Sequence, residues 1–177
     1  MKNLLPDNPR KRARLKLLLL AAFFVLPVAA SWLAWRLELG TGAAGNYGTL
    51  IAPRPVALAP LGALKGKWVL VQFDGGACGT GCERKLYLMR QVRRAQGKDM
   101  ERIERLWLVS DAGAPRADLL AAIEGTRVVM LEDPAFTREH IYLVDPLGNL
   151  MLRFPRDPDP SRMIKDLQRL LRYSRIG

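Results

Sequence analysis

KWVLVQFDGGACGTGCERKLYLMRQVRRAQG, residues 67–97, passes from an unbroken apolar segment, through a glycine-rich turn, into an amphipathic one. Lys67–Asp74 is rich in branched and aromatic residues and is stopped by Gly75-Gly76. A run of that kind reads as a central strand buried on both faces. Glu83 to Gln96 reads as a helix stopped at Gly97, with Leu88, Val92 and Ala95 on one face and Leu86 and Met89 beside them. Between strand and helix lie the chain's two cysteines, Cys78 and Cys82, four positions apart. Two thiols so close suggest a dithiol, a disulfide or a metal clamp.

Working outward, the same alternation continues. Ile103–Val109 is a second strand ending in Ser110-Asp111, and Pro115 opens a helix to about Glu124, before Gly125. Val128–Leu131 is a short apolar run. Ile141–Val144 and Leu150–Phe154 flank Asp145-Pro146-Leu147-Gly148-Asn149, a strand–turn–strand hairpin. Asp159-Pro160-Ser161 caps a last helix to about Tyr173, with Met163, Ile164, Leu167, Leu170 and Leu171 as its apolar stripe. Short strands are expected around Thr49–Ile51 and Val56–Leu58, within a glycine- and proline-rich lead-in. Strands alternating with helices and closing on a hairpin and a helix fit an α/β, thioredoxin-like domain, a central mixed sheet flanked by helices. Trp68, Trp107 and Tyr142 are expected in its core.

One N-terminal segment stands apart. Leu17–Trp35 holds no charged residue and is about the length of a membrane-spanning helix. Pro27 lies mid-span, which such helices tolerate, and Trp32 and Trp35 sit where an interfacial aromatic belt would be. The organisation read from the sequence is a basic cytoplasmic tail (1–16), a transmembrane anchor (17–35), a linker and lead-in (36–64) and the thioredoxin-like domain (65–177). Basic residues before the span place the tail in the cytoplasm and the domain across the membrane. A signal peptide cut after Val28-Ala29-Ala30 is the competing reading, and it exports the domain as well.

The chain's net charge is +11, of which residues 1–16, with six bases against Asp7, supply +5. The remaining +6 is moderate, forms no basic stripe interleaved with aromatics and accompanies no nucleic-acid-binding motif. Nucleic acid is therefore not an expected partner.

The chemistry is expected at the cysteines. Cys82 falls in the first turn of a helix and Cys78 just before it, where unpaired N–H groups and the helix dipole favour a thiolate. Arg84 and Lys85 add positive charge. A thiolate so stabilised is both nucleophile and metal ligand. An inert disulfide is the plainer alternative, but so small a loop constrains the unfolded chain little. His140, the sole histidine, precedes the hairpin and is the one imidazole available as ligand or proton relay. Two thiolates and an imidazole form a soft, low-coordinate set that suits Cu(I) and also Cu(II). Structural zinc would want a fourth ligand, for which Asp74 and Glu83 are the nearby carboxylates.

With these residues in view, the chain resembles the Sco/SenC group of cytochrome c oxidase assembly proteins. The resemblance is carried by the basic N-terminus and anchor, by Asn46-Tyr47-Gly48-Thr49-Leu50-Ile51 with Pro53 and Pro55, and by Gly66-Lys67-Trp68. It is carried further by Cys78-x-x-x-Cys82 and by Ile141-Tyr142-Leu143-Val144-Asp145-Pro146-Leu147-Gly148-Asn149. The likeness implies a copper-binding, thiol-redox assembly factor for the CuA site of the oxidase, anchored in the inner membrane with its domain in the periplasm. Cys78 and Cys82 would be its sulfur ligands and redox-active pair, and His140 the third copper ligand. Its partners would be the copper-bearing oxidase subunit or another copper chaperone. Two positions depart from the family pattern: Glu83 stands where proline usually follows the second cysteine, and Thr137 stands at the usual place of the histidine. The alternative function is a periplasmic thiol–disulfide oxidoreductase without stable copper, with Cys78 attacking and Cys82 resolving. Whether the chain is an enzyme or a metallochaperone is open at this point, and a peroxidase or a purely structural module on the same fold is a third reading.

Overall fold

The computed structural model describes residues 9–37, 45–56, 62–131, 134 and 136–177. The chain divides into two compact units, Met1–Gly45 and Asn46–Gly177.

The first unit is helix α1, Pro9–Arg36. At 1.5 Å per residue its 28 residues reach about 42 Å. The uncharged part, Leu17–Trp35, covers about 28 Å, close to the ~30 Å apolar thickness of a bilayer. The helix carries Pro27 without breaking, and none of its residues is buried. It is long and apolar enough to cross a membrane.

The second unit is a mixed six-stranded sheet in the order β1-β6-β5-β2-β3-β4. Its strands are β1 (Thr49–Pro55), β2 (Trp68–Asp74), β3 (Ile103–Val109), β4 (Arg127–Met130), β5 (Ile141–Val144) and β6 (Asn149–Arg153). Strands β2, β3 and β4 are mutually parallel, whereas β5 pairs antiparallel with both β2 and β6, and β1 antiparallel with β6. Helices α2 (Thr80–Arg94), α3 (Ala117–Ala122) and α4 (Pro160–Tyr173) and a 3-10 turn, Gly97–Arg102, complete it. This is the thioredoxin-like α/β layering that the sequence predicts.

Strand β2 explains the layering. Trp68 and Leu70 pack with Leu86, Met89 and Val92 of α2 and Met163, Leu167 and Leu171 of α4. The alternate residues Val69, Val71 and Phe73 enter a second core with Leu106, Leu108, Phe136 and Tyr142. Both faces of the strand are covered, so its polar residues are limited to the buried Gln72 and to Asp74 at its half-buried end. Trp107 is fully buried, and Tyr142 meets Phe136 edge-on at 5.1 Å between ring centroids.

Several boundaries differ from the sequence expectation. Helix α2 starts at Thr80, three residues before Glu83, and α3 is shorter than Pro115–Glu124. Strand β1 runs on through Pro53 to Pro55. As an edge strand whose register with β6 shifts between Leu50 and Arg54, it tolerates residues without an N–H. The expected strand at Val56–Leu58 falls partly outside the described residues.

Candidate functional site

The site begins where β2 ends. Asp74 Oδ1 accepts the Gly75 N–H at 2.9 Å, and the Cys78 N–H returns to the Gly75 carbonyl at 3.1 Å, closing a turn. Cys78 has φ +36°, the one non-glycine residue in the left-handed region among those described. A side chain held there is under backbone strain that its surroundings must over-determine. The turn is braced by Asp111, whose Oδ1 accepts both the Gly76 N–H at 2.8 Å and the Gly113 N–H at 3.0 Å. A Cβ on Gly76 would collide with the Gly113 carbonyl oxygen, so glycine is required where the two loops meet.

Gly79 is the N-cap of α2 and offers no side-chain cap. The first intrahelical bond runs from the Glu83 N–H to the Gly79 carbonyl at 3.0 Å. The preceding N–H groups, including that of Cys82, therefore lack intrahelical partners. Cys78 and Cys82 are joined as a disulfide, with Cα atoms 5.2 Å apart. Both are buried, at 2% and 5% exposure, so solvent reaches neither freely.

A cavity of about 420 Å³ opens beside the disulfide, and Cys82 forms part of its wall. Lys85, one turn further along α2, lines it and donates from Nζ to the Arg138 carbonyl at 2.7 Å. Burial lowers the Lys85 pKa, and the Asp74 carboxylate partly offsets this. Arg84 and Asp157 pair at 3.0 Å on the cavity's exposed rim. Glu83 instead pairs with Arg116 at 2.6 Å and is not part of the wall.

His140 is half-buried before β5. Its Nδ1 lies 2.7 Å from the Phe154 carbonyl oxygen. A carbonyl can only accept, so Nδ1 carries the proton and Nε2 holds the lone pair in the neutral ring. Metal-ligating histidines commonly have this arrangement, one nitrogen tied to a carbonyl and the other left basic. Here Nε2 lies 4.0 Å from Glu139 Oε2. The neighbouring Arg138 and Glu139 line the cavity beside Cys82. Among the described residues, no three His, Cys, Asp or Glu side chains cluster as a metal site. The disulfide form thus brings the sulfurs together and leaves the imidazole outside their group. Thr137 is held by Tyr142, whose OH takes its N–H and meets its Oγ1, each at 3.0 Å.

The Asp111 brace and the Arg138–Glu139 and Arg156–Asp157 walls leave no signal in the sequence. Asp111 was visible only as the end of a strand, since its partners lie 35 residues upstream and two downstream.

A family model described as transmembrane-like, thioredoxin-like, C-terminal domain matches residues 68–174. No curated protein matches the sequence. Among solved structures, apo Sco1 of Thermus thermophilus is similar at 20% identity and a TM-score of 0.54, covering 71% of this chain and 96% of that one. Yeast Sco1 with copper bound is similar at 14% identity and 0.52, covering 63% and 82%. Arabidopsis thaliana ScoI with copper bound is similar at 11% and 0.52, covering 64% and 89%. At these identities the structural likeness is one of fold.

Proposed function

We propose, starting from a chain that belongs to the transmembrane-like, thioredoxin-like C-terminal domain family, that this protein is a membrane-anchored copper-binding and thiol-redox assembly factor. Its cargo would be copper for the CuA site of cytochrome c oxidase. Its domain would face the periplasm, with residues 1–16 in the cytoplasm, 17–35 as the anchor, 36–64 as lead-in and 65–177 as the working domain. Its partners would be the copper-bearing oxidase subunit or another copper chaperone.

One observation carries the reading. The two sulfurs already touch, on a helix N-terminus whose first N–H groups are unpartnered within the helix. Two electrons and two protons from a partner dithiol convert this bond into two adjacent thiols. Copper then displaces the thiol protons, because thiolate is the ligand form. Adjacent thiolates are soft donors that select Cu(I). His140 Nε2, left basic by the Nδ1 bond to Phe154, would be the third ligand after the reduced loop rearranges.

The second reading, thiol–disulfide exchange without stable copper, is favoured by the bonded pair itself and by Cys82 forming a cavity wall. One experiment separates the two. The reduced full-length protein in neutral detergent is titrated anaerobically with Cu(I) against a chromophoric chelator, as wild type, Cys82→Ser and His140→Ala. The copper reading expects one equivalent held, lost in Cys82→Ser and weakened about tenfold or more in His140→Ala. Retention unchanged by Cys82→Ser would sink it. Absence of competitive binding would leave dithiol exchange as the function.

A further inference from the structure

The C-terminal half of α2 carries a second constellation, remote from the disulfide. From Cys82 to Arg94 the helix axis advances about 18 Å. Arg105 sits near the start of β3, the opposite end from Val109, which pairs with Asp74. A cavity of about 250 Å³ opens at this end, lined by Arg90, Arg93, Arg94, Arg105, Glu124 and Gly125.

Three of these arginines are each anchored by one bond to a backbone carbonyl. Arg105 Nη2 donates to Glu124 at 2.7 Å, Arg90 Nη1 to Ala122 at 3.0 Å, and Arg93 Nε to Ile103 at 2.6 Å. Arg105 is only 4% exposed, yet its Nε and Nη1 are buried with no hydrogen-bond partner. Among the described residues, no carboxylate lies within ion-pair distance of Arg90, Arg94 or Arg105, and Arg93 reaches Glu101 only at 3.6 Å. A buried guanidinium without a counter-charge is costly, and like charges beside it add to the cost. Burial pulls the Arg105 pKa down, and the charges of Arg93, Arg90 and Arg94 pull the same way, against Glu104. The C-terminal dipole of α2 favours cations at its own end but offers no partner to the buried donors of Arg105.

We propose that this cavity binds a phosphate group, with Arg105 at its base and Arg90, Arg93 and Arg94 around it. Guanidinium forks match phosphate oxygens geometrically, and several of them match a dianion better than the single charge of a carboxylate. The volume is many times the space one water needs. The phosphate is either that of a soluble phosphoester or that of an anionic lipid headgroup.

The test uses full-length protein with nitrogen-labelled arginine in neutral detergent, following the Arg105 Nε–H resonance during titration with inorganic phosphate. A saturable displacement is expected, absent with acetate or with sodium chloride at matched ionic strength. Arg94→Glu, at an exposed position that does not threaten folding, weakens it about tenfold. Arg153→Glu, an exposed change on β6, leaves it unaltered. In nanodiscs, a displacement on adding phosphatidylglycerol to phosphatidylcholine assigns the lipid source. Displacement by inorganic phosphate alone assigns the soluble one. A linear, salt-like response, or equal binding by wild type and Arg94→Glu, overturns the proposal.

Discussion

At the scale of single residues, Asp111 shows how the cysteine turn is held. Its carboxylate is kept below the ordinary carboxylate range, first by the Gly76 N–H and next by the Gly113 N–H, with a further contribution from Arg138. Both amides belong to loops that glycine alone lets approach so closely. The folded protein therefore binds a proton at Asp111 less readily than the unfolded chain does. The stabilisation is present above the unfolded value near 3.8 and disappears as pH falls through the lower folded value. Asp111→Asn should unfold at lower urea than wild type at neutral pH, and the difference should shrink as pH drops below that of an ordinary carboxylate. A gap that stays constant from neutral to strongly acidic pH would show that Asp111 is not what ties the two loops.

At the scale of elements, α4 and the lead-in to β1 are joined by long-range polar contacts. Asp166 on α4 accepts the Gly48 N–H at 2.8 Å in a buried setting. The Asp159 N–H donates to the Tyr47 OH at 2.7 Å, and Arg162 lies over the Tyr47 ring at 4.3 Å. Removing the buried acceptor strands a backbone donor, which costs about 1–3 kcal/mol. Asp166→Ala should lose stability in that range by urea denaturation and speed hydrogen exchange at the Gly48 amide, while amides of β3 exchange only as fast as the global loss dictates. Unchanged Gly48 exchange would refute the tether. The same contrast explains what the sequence disclosed. Strand β2, the hairpin and α4 were legible because their signals, an unbroken apolar run, a turn between two apolar runs and a one-sided stripe, are local and strong. The start of α2 was not, because Gly79 gives no capping side chain to mark it. The 3-10 turn at Gly97–Arg102 is too short and polar to show a period. The cysteine pair was legible because both residues lie on one turn of chain. The cavity wall beside it was not, since Asp74, Lys85, Arg138 and Asp157 meet only through tertiary folding. His140 stands out in the sequence as the sole imidazole, but its bond to the Phe154 carbonyl depends on the β5–β6 pairing and is not legible in residue order alone.

At the scale of the whole molecule, the proposed topology would couple the orientation of α1 to the redox state of the cysteine pair. Arg10, Lys11, Arg12, Arg14 and Lys16 lie before its uncharged stretch, and Arg36 follows it. Such an excess of bases on one side keeps that side in the cytoplasm. On the proposed topology the domain would lie in a compartment where a disulfide persists, whereas cytosolic thiols are kept reduced. If so, topology would decide whether Cys78 and Cys82 rest as a bond or as thiols. Replacing Arg10, Lys11, Arg12, Arg14 and Lys16 with glutamine and adding lysine at Leu37 and Glu38 reverses the charge bias without touching the domain. In spheroplasts of a Gram-negative host, external protease should digest the wild-type domain and spare an inverted fraction of the variant. That protected fraction should also have reduced cysteines, seen as a mass shift on alkylation without prior reductant. Protease-accessible domain in both proteins would mean that α1 is not oriented by its flanking charges. A protected domain that still holds its disulfide would break the link between topology and the state of the pair, and leave the bond as a structural feature of the fold.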